Sequence, residues 1–194
     1  MQNIALSLSI VFWLLLSSPY AESWQSAHER RVTRYVNCDF GYIVRVPPGL
    51  IARVPEYARH GFNIDLPDGR SSIEVYNTYN MSGSSSPLAI LKYQLQFQAE
   101  LHPGWKVVSR HDQQVKGLAG TSVAAIYRYQ GTAWKSHYII AYRPLDGEGE
   151  GNIVYLFELS APLNRYDKTL GDFNRVVDGF ELTQIPRGPC SNDE

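Results

Sequence analysis

The stretch of this chain whose residue types and spacing come nearest to a chemical motif is Asp146-Gly147-Glu148-Gly149-Glu150-Gly151-Asn152-Ile153. Carboxylates recur there at alternate positions and a glycine stands sixth, a pattern able to wrap a hard cation in oxygen ligands, so Asp146, Glu148 and Glu150 are candidate calcium ligands. The match is partial. Glu replaces the shorter Asp or Asn at the third and fifth positions, Phe157 stands where a bidentate Glu would close the site, and the flanks read as strands. The competing reading is a solvated hairpin tip.

Other chemistries find less. His28, His60, His102, His111 and His137 show no HxxH or HExxH spacing, and His111-Asp112 are strand neighbours that point to opposite faces. A metal site would have to be assembled from separate strands. Neither a GxSxG nucleophile elbow nor another Ser-His signature is present, Ser82 to Ser86 reads as flexible linkage, and Gly117-Leu118-Ala119-Gly120 lacks the Lys of a phosphate loop. The expectation is a protein that is not an enzyme, with no catalytic residues and no cofactor beyond the calcium candidate.

Two cysteines, Cys38 and Cys190, lie near opposite ends of the chain and lack CxxC spacing. A structural disulfide between them is expected, with free or intermolecular thiols as the alternative. Closing so long a loop is worth about 4 to 5 kcal/mol in the chain-entropy model. The thirteen tyrosines and four tryptophans supply the last candidate. Tyr127, Tyr129, Tyr138, Tyr142 and Tyr155 fall on neighbouring expected strands and could line a binding face for a ligand, glycan or protein. The simpler reading is that Tyr and Trp suit half-buried strands.

The elements that must position these residues are legible in outline. Tyr42 to Val46 alternates and stops at Pro47-Pro48-Gly49; extended segments follow at Gly61 to Leu66 and Ser72 to Tyr79, with an Asp68-Gly69 turn between them. Ser86 and Pro87 suit a helix start. Leu88, Leu91, Leu95 and Ala99, widened by Phe97 and Leu101, predict a helix across a sheet that ends at His102-Pro103-Gly104. Val107 to Val115, Thr121 to Tyr129, Ala133 to Tyr142 and Ile153 to Leu159 predict an antiparallel meander with turns at Gly117 to Gly120 and Gln130-Gly131. Tyr166, Leu170, Phe173, Val177 and Phe180 fall at steps of four, three, four and three, one stripe of a second sheet-packed helix. The fold class is α+β, an antiparallel sheet meander packed with two main helices.

The apolar run from Ile4 to Leu16 is shorter than the roughly 20 residues a spanning helix needs, and small residues at Ser17, Ser18 and Ala21 suit signal cleavage after Ala21. An uncleaved apolar anchor is the alternative. With cleavage, no stable membrane span is expected and the destination is periplasmic or secreted. The expected division is a signal peptide at 1–21, a polar lead-in at 22–38, one domain at 39–183 and an irregular tail at 184–194. Eighteen basic against nineteen acidic residues leave no basic stripe for phosphates, so no nucleic-acid partner is expected.

Four places together resemble the PsbP-like proteins, a family named for an extrinsic photosystem II subunit whose fold is shared by bacterial envelope proteins and a Ran-binding factor. They are Tyr42-Ile43 leading to Pro47-Pro48-Gly49; Gly117 to Gly120 with Ala124; Tyr155 to Leu159 running through Ser160-Ala161-Pro162 to Tyr166; and Phe173 with Val176-Val177-Asp178-Gly179-Phe180. The resemblance implies an α/β/α sandwich over Asp39 to Leu182. Together with the missing catalytic motifs, it gives the functional expectation of an exported accessory module binding an unknown envelope or secreted protein through its sheet edge or aromatic face. The alternative is an exported small-ligand or calcium-binding protein.

Overall fold

Two tight turns organise the sheet. Lys116-Gly117 and Gln130-Gly131 each place two successive residues at positive φ, 49° and 84° in the first and 48° and 76° in the second. That geometry makes a two-residue hairpin whose twist matches the strands it joins. The computed structural model describes residues 29–55, 60–80, 86–145 and 152–185. Its strands β7 (Lys106–Val115), β8 (Leu118–Tyr129) and β9 (Thr132–Arg143) are linked by these turns, with Val115 opposite Leu118 and Tyr129 opposite Thr132. The expected turn at Gly117 to Gly120 is thus narrower, and Gly120 already lies within β8. A Cβ there would stand 2.6 Å from the Ile140 carbonyl oxygen, so glycine lets β8 and β9 approach closely.

The meander continues into β10 (Ile153–Pro162), which pairs with both β9 and β6 (Ser72–Tyr79). Outward from β6 lie β5 (Gly61–Asp65), β4 (Ala52–Pro55) and β1 (Glu29–Val32). The result is one antiparallel sheet in the order β1-β4-β5-β6-β10-β9-β8-β7. A smaller sheet, β11-β3-β2, joins β2 (Arg34–Asn37), β3 (Tyr42–Arg45) and β11 (Phe180–Leu182).

Helix α1 (Pro87–Leu101) packs on β8 and β9 from one side, while α2 (Tyr166–Asp178) contacts β10 and β3 on the other. Between the large sheet and the α2 layer lies the main core, with Phe157, Leu159, Phe173, Val176, Phe180 and Tyr155 at its centre. A second, smaller core of Leu91, Val123, Tyr138, Ile140 and Val154 lies under α1. Each sheet face is buried in part, so the strands read as mixed apolar and polar rather than cleanly alternating.

Three expectations are corrected. The polar lead-in is not irregular where described: β1 and β2 pair with β4 and β3, and Arg53 bridges Glu29 on β1 and Asp65 on β5. Pairing partners far along the chain, rather than local hydrophobic spacing, order this segment. The second helix ends at Asp178, and Phe180 is buried as the first residue of β11 instead of the last of the helical stripe. Finally, the apolar stripe of α1 is buried only in its first part, where Leu88 and Leu95 are half-buried and Leu95 packs on the smaller core. Leu91 is buried, whereas Phe97 and Leu101 are 51% and 55% exposed.

Candidate functional site

Side chains on alternate strand positions share a face, so register decides which polar groups meet. On the α1 side of the sheet, Glu158 of β10 lies directly opposite Glu74 of β6 on one flank and Tyr138 of β9 on the other. Ser136 and Ser160 share that face. Ser160 Oγ donates to Glu158 Oε1 at 2.9 Å, Ser136 Oγ approaches the same oxygen at 3.4 Å, and the two hydroxyls are 2.8 Å apart. Among the described residues no cation pairs with either carboxylate. Burial pushes both carboxyls above the usual range, and the Glu74 charge raises Glu158 further.

A cavity of about 280 Å³ opens onto this pair, lined by Glu74, Tyr76, Gln94, Leu156 and Glu158. It shares Tyr76, Gln94 and Leu156 with a larger cavity of about 430 Å³, walled by Ile90 and Leu91 of α1 with Ile140 and Val154 of the sheet. The shallow burial of α1 creates this space. Ile90 and Gln94 face it instead of closing against β6 and β10.

The other face carries a hydroxyl-imidazole-hydroxyl relay. Ser122 Oγ is 2.7 Å from His137 Nε2, and the Tyr166 hydroxyl is 2.9 Å from His137 Nδ1. Burial lowers the His137 pKa to about 4, with the charges of His111 and Lys135 acting in the same direction. Burial and Asp167 push the Tyr166 hydroxyl up to about 12. A serine beside a neutral imidazole is the beginning of nucleophilic machinery, but Ser122 is almost wholly buried in the middle of β8, between β7 and β9. None of the described cavities is lined by Ser122 or His137. The relay therefore ties α2 to the sheet, with the Phe173 ring 5.3 Å from His137 and Lys135 Nζ 3.9 Å above the Tyr166 ring.

The structure divides the tyrosine candidates. Tyr127, Tyr129, Tyr138 and Tyr142 share the α1 face, where Tyr127 stacks near His102, Trp105 and Trp134. Tyr155 sits opposite Ala141 and so belongs to the main core, where its hydroxyl donates to the Phe40 carbonyl at 2.6 Å. Tyr127, Tyr138 and Tyr142 are buried, and Tyr129 is the exposed member at 47%. The face is a packed aromatic layer with an open edge at Tyr129.

The calcium candidates Asp146, Glu148 and Glu150, the signal segment at 1–21 and Cys190 lie outside the described residues. Cys38 follows β2 beside a buried network in which Asn37 Nδ2 donates to Tyr35 Oη at 3.1 Å and the Tyr42 hydroxyl donates to Asn77 Oδ1 at 2.6 Å. Among the described residues no group of three His, Cys, Asp or Glu is placed to hold a metal ion, and no helix is long and apolar enough to cross a membrane.

The layered order of strands and helices has counterparts among solved structures. Cyanobacterial PsbP (CyanoP) from Synechocystis sp. PCC 6803 superposes with a TM-score of 0.55 at 15% identity, covering 77% of this chain and 91% of that one. LpqN of Mycobacterium tuberculosis, described as involved in cell envelope biogenesis, superposes with a TM-score of 0.57 at 15% identity, covering 84% of this chain and 96% of that one. These define the class: the chain has a PsbP-like α+β fold. No family model and no curated protein matches the sequence. The Glu74–Glu158 pair was missed in the sequence because neither residue has a partner within local spacing. Its one legible trace is a Glu interrupting each of two apolar strands.

Proposed function

We propose that this chain is an exported, non-enzymatic accessory module that docks a protein partner at the C-terminal end of α1 and the adjoining edge of the sheet. One observation carries the reading. Phe97 and Leu101 on the last turns of α1, Val107 and Val108 at the start of β7, and Tyr129 at the end of β8 are all 44 to 55% exposed. They are brought together by the short α1–β7 turn, in which Trp105 N–H bonds the His102 carbonyl and Arg128 N–H bonds the Pro103 carbonyl. Scattered apolar residues on a surface need no explanation, whereas a cluster at one sheet corner marks an interaction site. β7 is an edge strand, and the register shift between Val107 and Ser109 interrupts its ladder there. Such a bulge disfavours simple strand addition and leaves side-chain packing as the mode of docking. Export is supported by the N-terminal apolar run with its small-residue end.

The test is a native mass spectrum of the protein recovered from its own exported fraction, repeated for the doubly charged variant Phe97→Lys/Val108→Lys. The expected result is a companion mass with the natural sequence that is lost in the variant while the melting temperature is kept. A companion retained by the variant overturns the docking surface. Turnover in a hydrolase panel that disappears in Ser122→Ala, with folding intact, overturns the non-enzymatic reading. The calcium alternative at Asp146, Glu148 and Glu150 requires a melting temperature that rises with millimolar calcium. An unchanged melting temperature disposes of it.

A further inference from the structure

We propose that β7 pairs antiparallel with β7 of a second copy of this chain, joining two sheets edge to edge through Arg110 and Asp112. β7 ends the eight-stranded sheet, and its residues from Lys106 to Asp112 are exposed. α1 packs on β8 and β9 and α2 on β10 and β3, so both helices are seated away from this edge. The bulge that interrupts the ladder ends at Ser109, and from Ser109 to Val115 the pairing with β8 is regular. At the opposite edge of the sheet β1 offers only four residues. A regular edge without proline is a template for another strand.

Strand phase decides which backbone groups face outward. The Lys116-Gly117 hairpin closes on Val115 and Leu118, and a two-residue loop of this kind closes on a hydrogen-bonded pair. Bonded and non-bonded pairs then alternate. Ser109, His111 and Gln113 therefore bond β8, while Arg110, Asp112 and Gln114 turn their N–H and C=O groups to the free edge. The Gln130-Gly131 hairpin gives β8 the same phase, since Tyr129 bonds Thr132 of β9 and leaves Ser122 and Ala124 to serve β7.

Charge selects the occupant and the register. Arg110 lies opposite Val123 and Asp112 opposite Thr121, so both side chains stand on the α1 face. Neither forms an ion pair among the described residues. Asp112 Oδ1 accepts from Thr121 Oγ1 at 2.9 Å, and Oδ2 has no described donor. Two antiparallel copies related by a twofold axis at His111 set Arg110 of each opposite Asp112 of the other. Both pairs then join outward backbone groups and opposite charges at once. Moving the axis to Arg110 or to Asp112 sets like charges opposite one another. The strand is thus complementary to itself about His111, as a twofold interface requires. A ribbon this short buries less than a standard interface, so association is expected in the high micromolar range.

Sedimentation equilibrium of the purified chain from about 10 µM to 1 mM at pH 7 tests the pairing. The expected result is a monomer–dimer equilibrium in which the amides of Arg110 and Asp112 gain protection from hydrogen exchange only at the high end. Arg110→Asp and Asp112→Arg should each weaken the dimer by about tenfold or more, because each sets like charges together at both pairs. Both variants are expected to melt near the natural temperature, since both side chains are exposed. An equimolar mixture of the two should associate again as a heterodimer, every pair once more joining opposite charges. Phe97→Lys should leave the dimer intact, which separates this pairing from the docking corner. A chain that is monomeric throughout, a dimer of natural strength in both charge variants, a mixture no more associated than its parts, or a dimer lost in Phe97→Lys overturns the proposal.

Discussion

Acidification should unlock the α2 layer through His137, and the size of the effect follows from the relay that holds it. His137 of β9 is faced by Ser122 of β8 and by Tyr166 and Phe173 of α2, with Lys135 on its own strand and His111 on β7 supplying positive charge nearby. Its pKa falls from 6.5 to about 4 on folding. A lowered histidine pKa means that the unfolded chain binds the proton more tightly, so stability is intact above pH 6.5 and is lost as pH falls toward 4. The full gap corresponds to about 3 kcal/mol, and solvent screening at this half-buried ring brings the expectation to about 2 kcal/mol. For a domain of this size that is about 4 to 8 °C in melting temperature. Glu74 and Glu158 act with the opposite sign, because their raised pKa values favour the folded state at low pH and withdraw that support as pH rises. They are common to the natural sequence and His137→Gln, so the difference between the two isolates the imidazole. Urea unfolding of both proteins from pH 7 to pH 4 should show the stability gap between them shrinking by about 2 kcal/mol. Parallel pH profiles, or an NMR titration of His137 with a midpoint near 6.5, would refute the reasoning.

Three further outcomes follow from packing and chain topology. Phe173 is fully buried on α2 against the main core, so Phe173→Ala should lower stability by about 3 to 5 kcal/mol in chemical unfolding; a loss under 1 kcal/mol would mean that α2 is not seated as described. Gly179 closes α2 with its carbonyl accepting from Arg45 N–H, and an added Cβ would stand 2.2 Å from the Arg45 carbonyl oxygen. Gly179→Ala should therefore separate β11 from β3 and cost about 2 kcal/mol or more, read as early amide exchange in both strands. For the pairing of Cys38 with Cys190, the intact mass should rise by two hydrogens on reduction and stability should fall by up to about 4 to 5 kcal/mol; an unchanged mass would leave the thiols unpaired.

The parts of the fold visible in the sequence are those whose signals are local. The α2 stripe at Tyr166 and Phe173 is real because helical neighbours three and four residues apart share a face regardless of what they pack on. The Gln130-Gly131 turn is real because positive φ at both residues sets the hairpin. α1 was legible as a helix but not as a poorly buried one. Its apolar side chains say that a surface is available, and only the position of the sheet says which of them reach it. β1 and β2 left no local pattern, since charged and polar strands such as Glu29–Val32 owe their form to the partners they meet.

The same division governs the candidate sites. The sequence alone determined the α+β class, the two helices, the meander with its turns and the near-neutral charge. Tertiary structure decided everything that depends on pairing. It set Tyr155 opposite Ala141 and into the core while Tyr138 met Glu158, and it aligned Glu158 with Glu74 from eighty-four positions away in the chain. It also joined Ser122, His137 and Tyr166 from two strands and a helix. Side-chain direction alternates identically along every strand, so sequence spacing fixes which residues of one strand share a face but carries no information about the register of the strand beside it. Register is settled by the summed burial of both faces, a property of the assembled sheet.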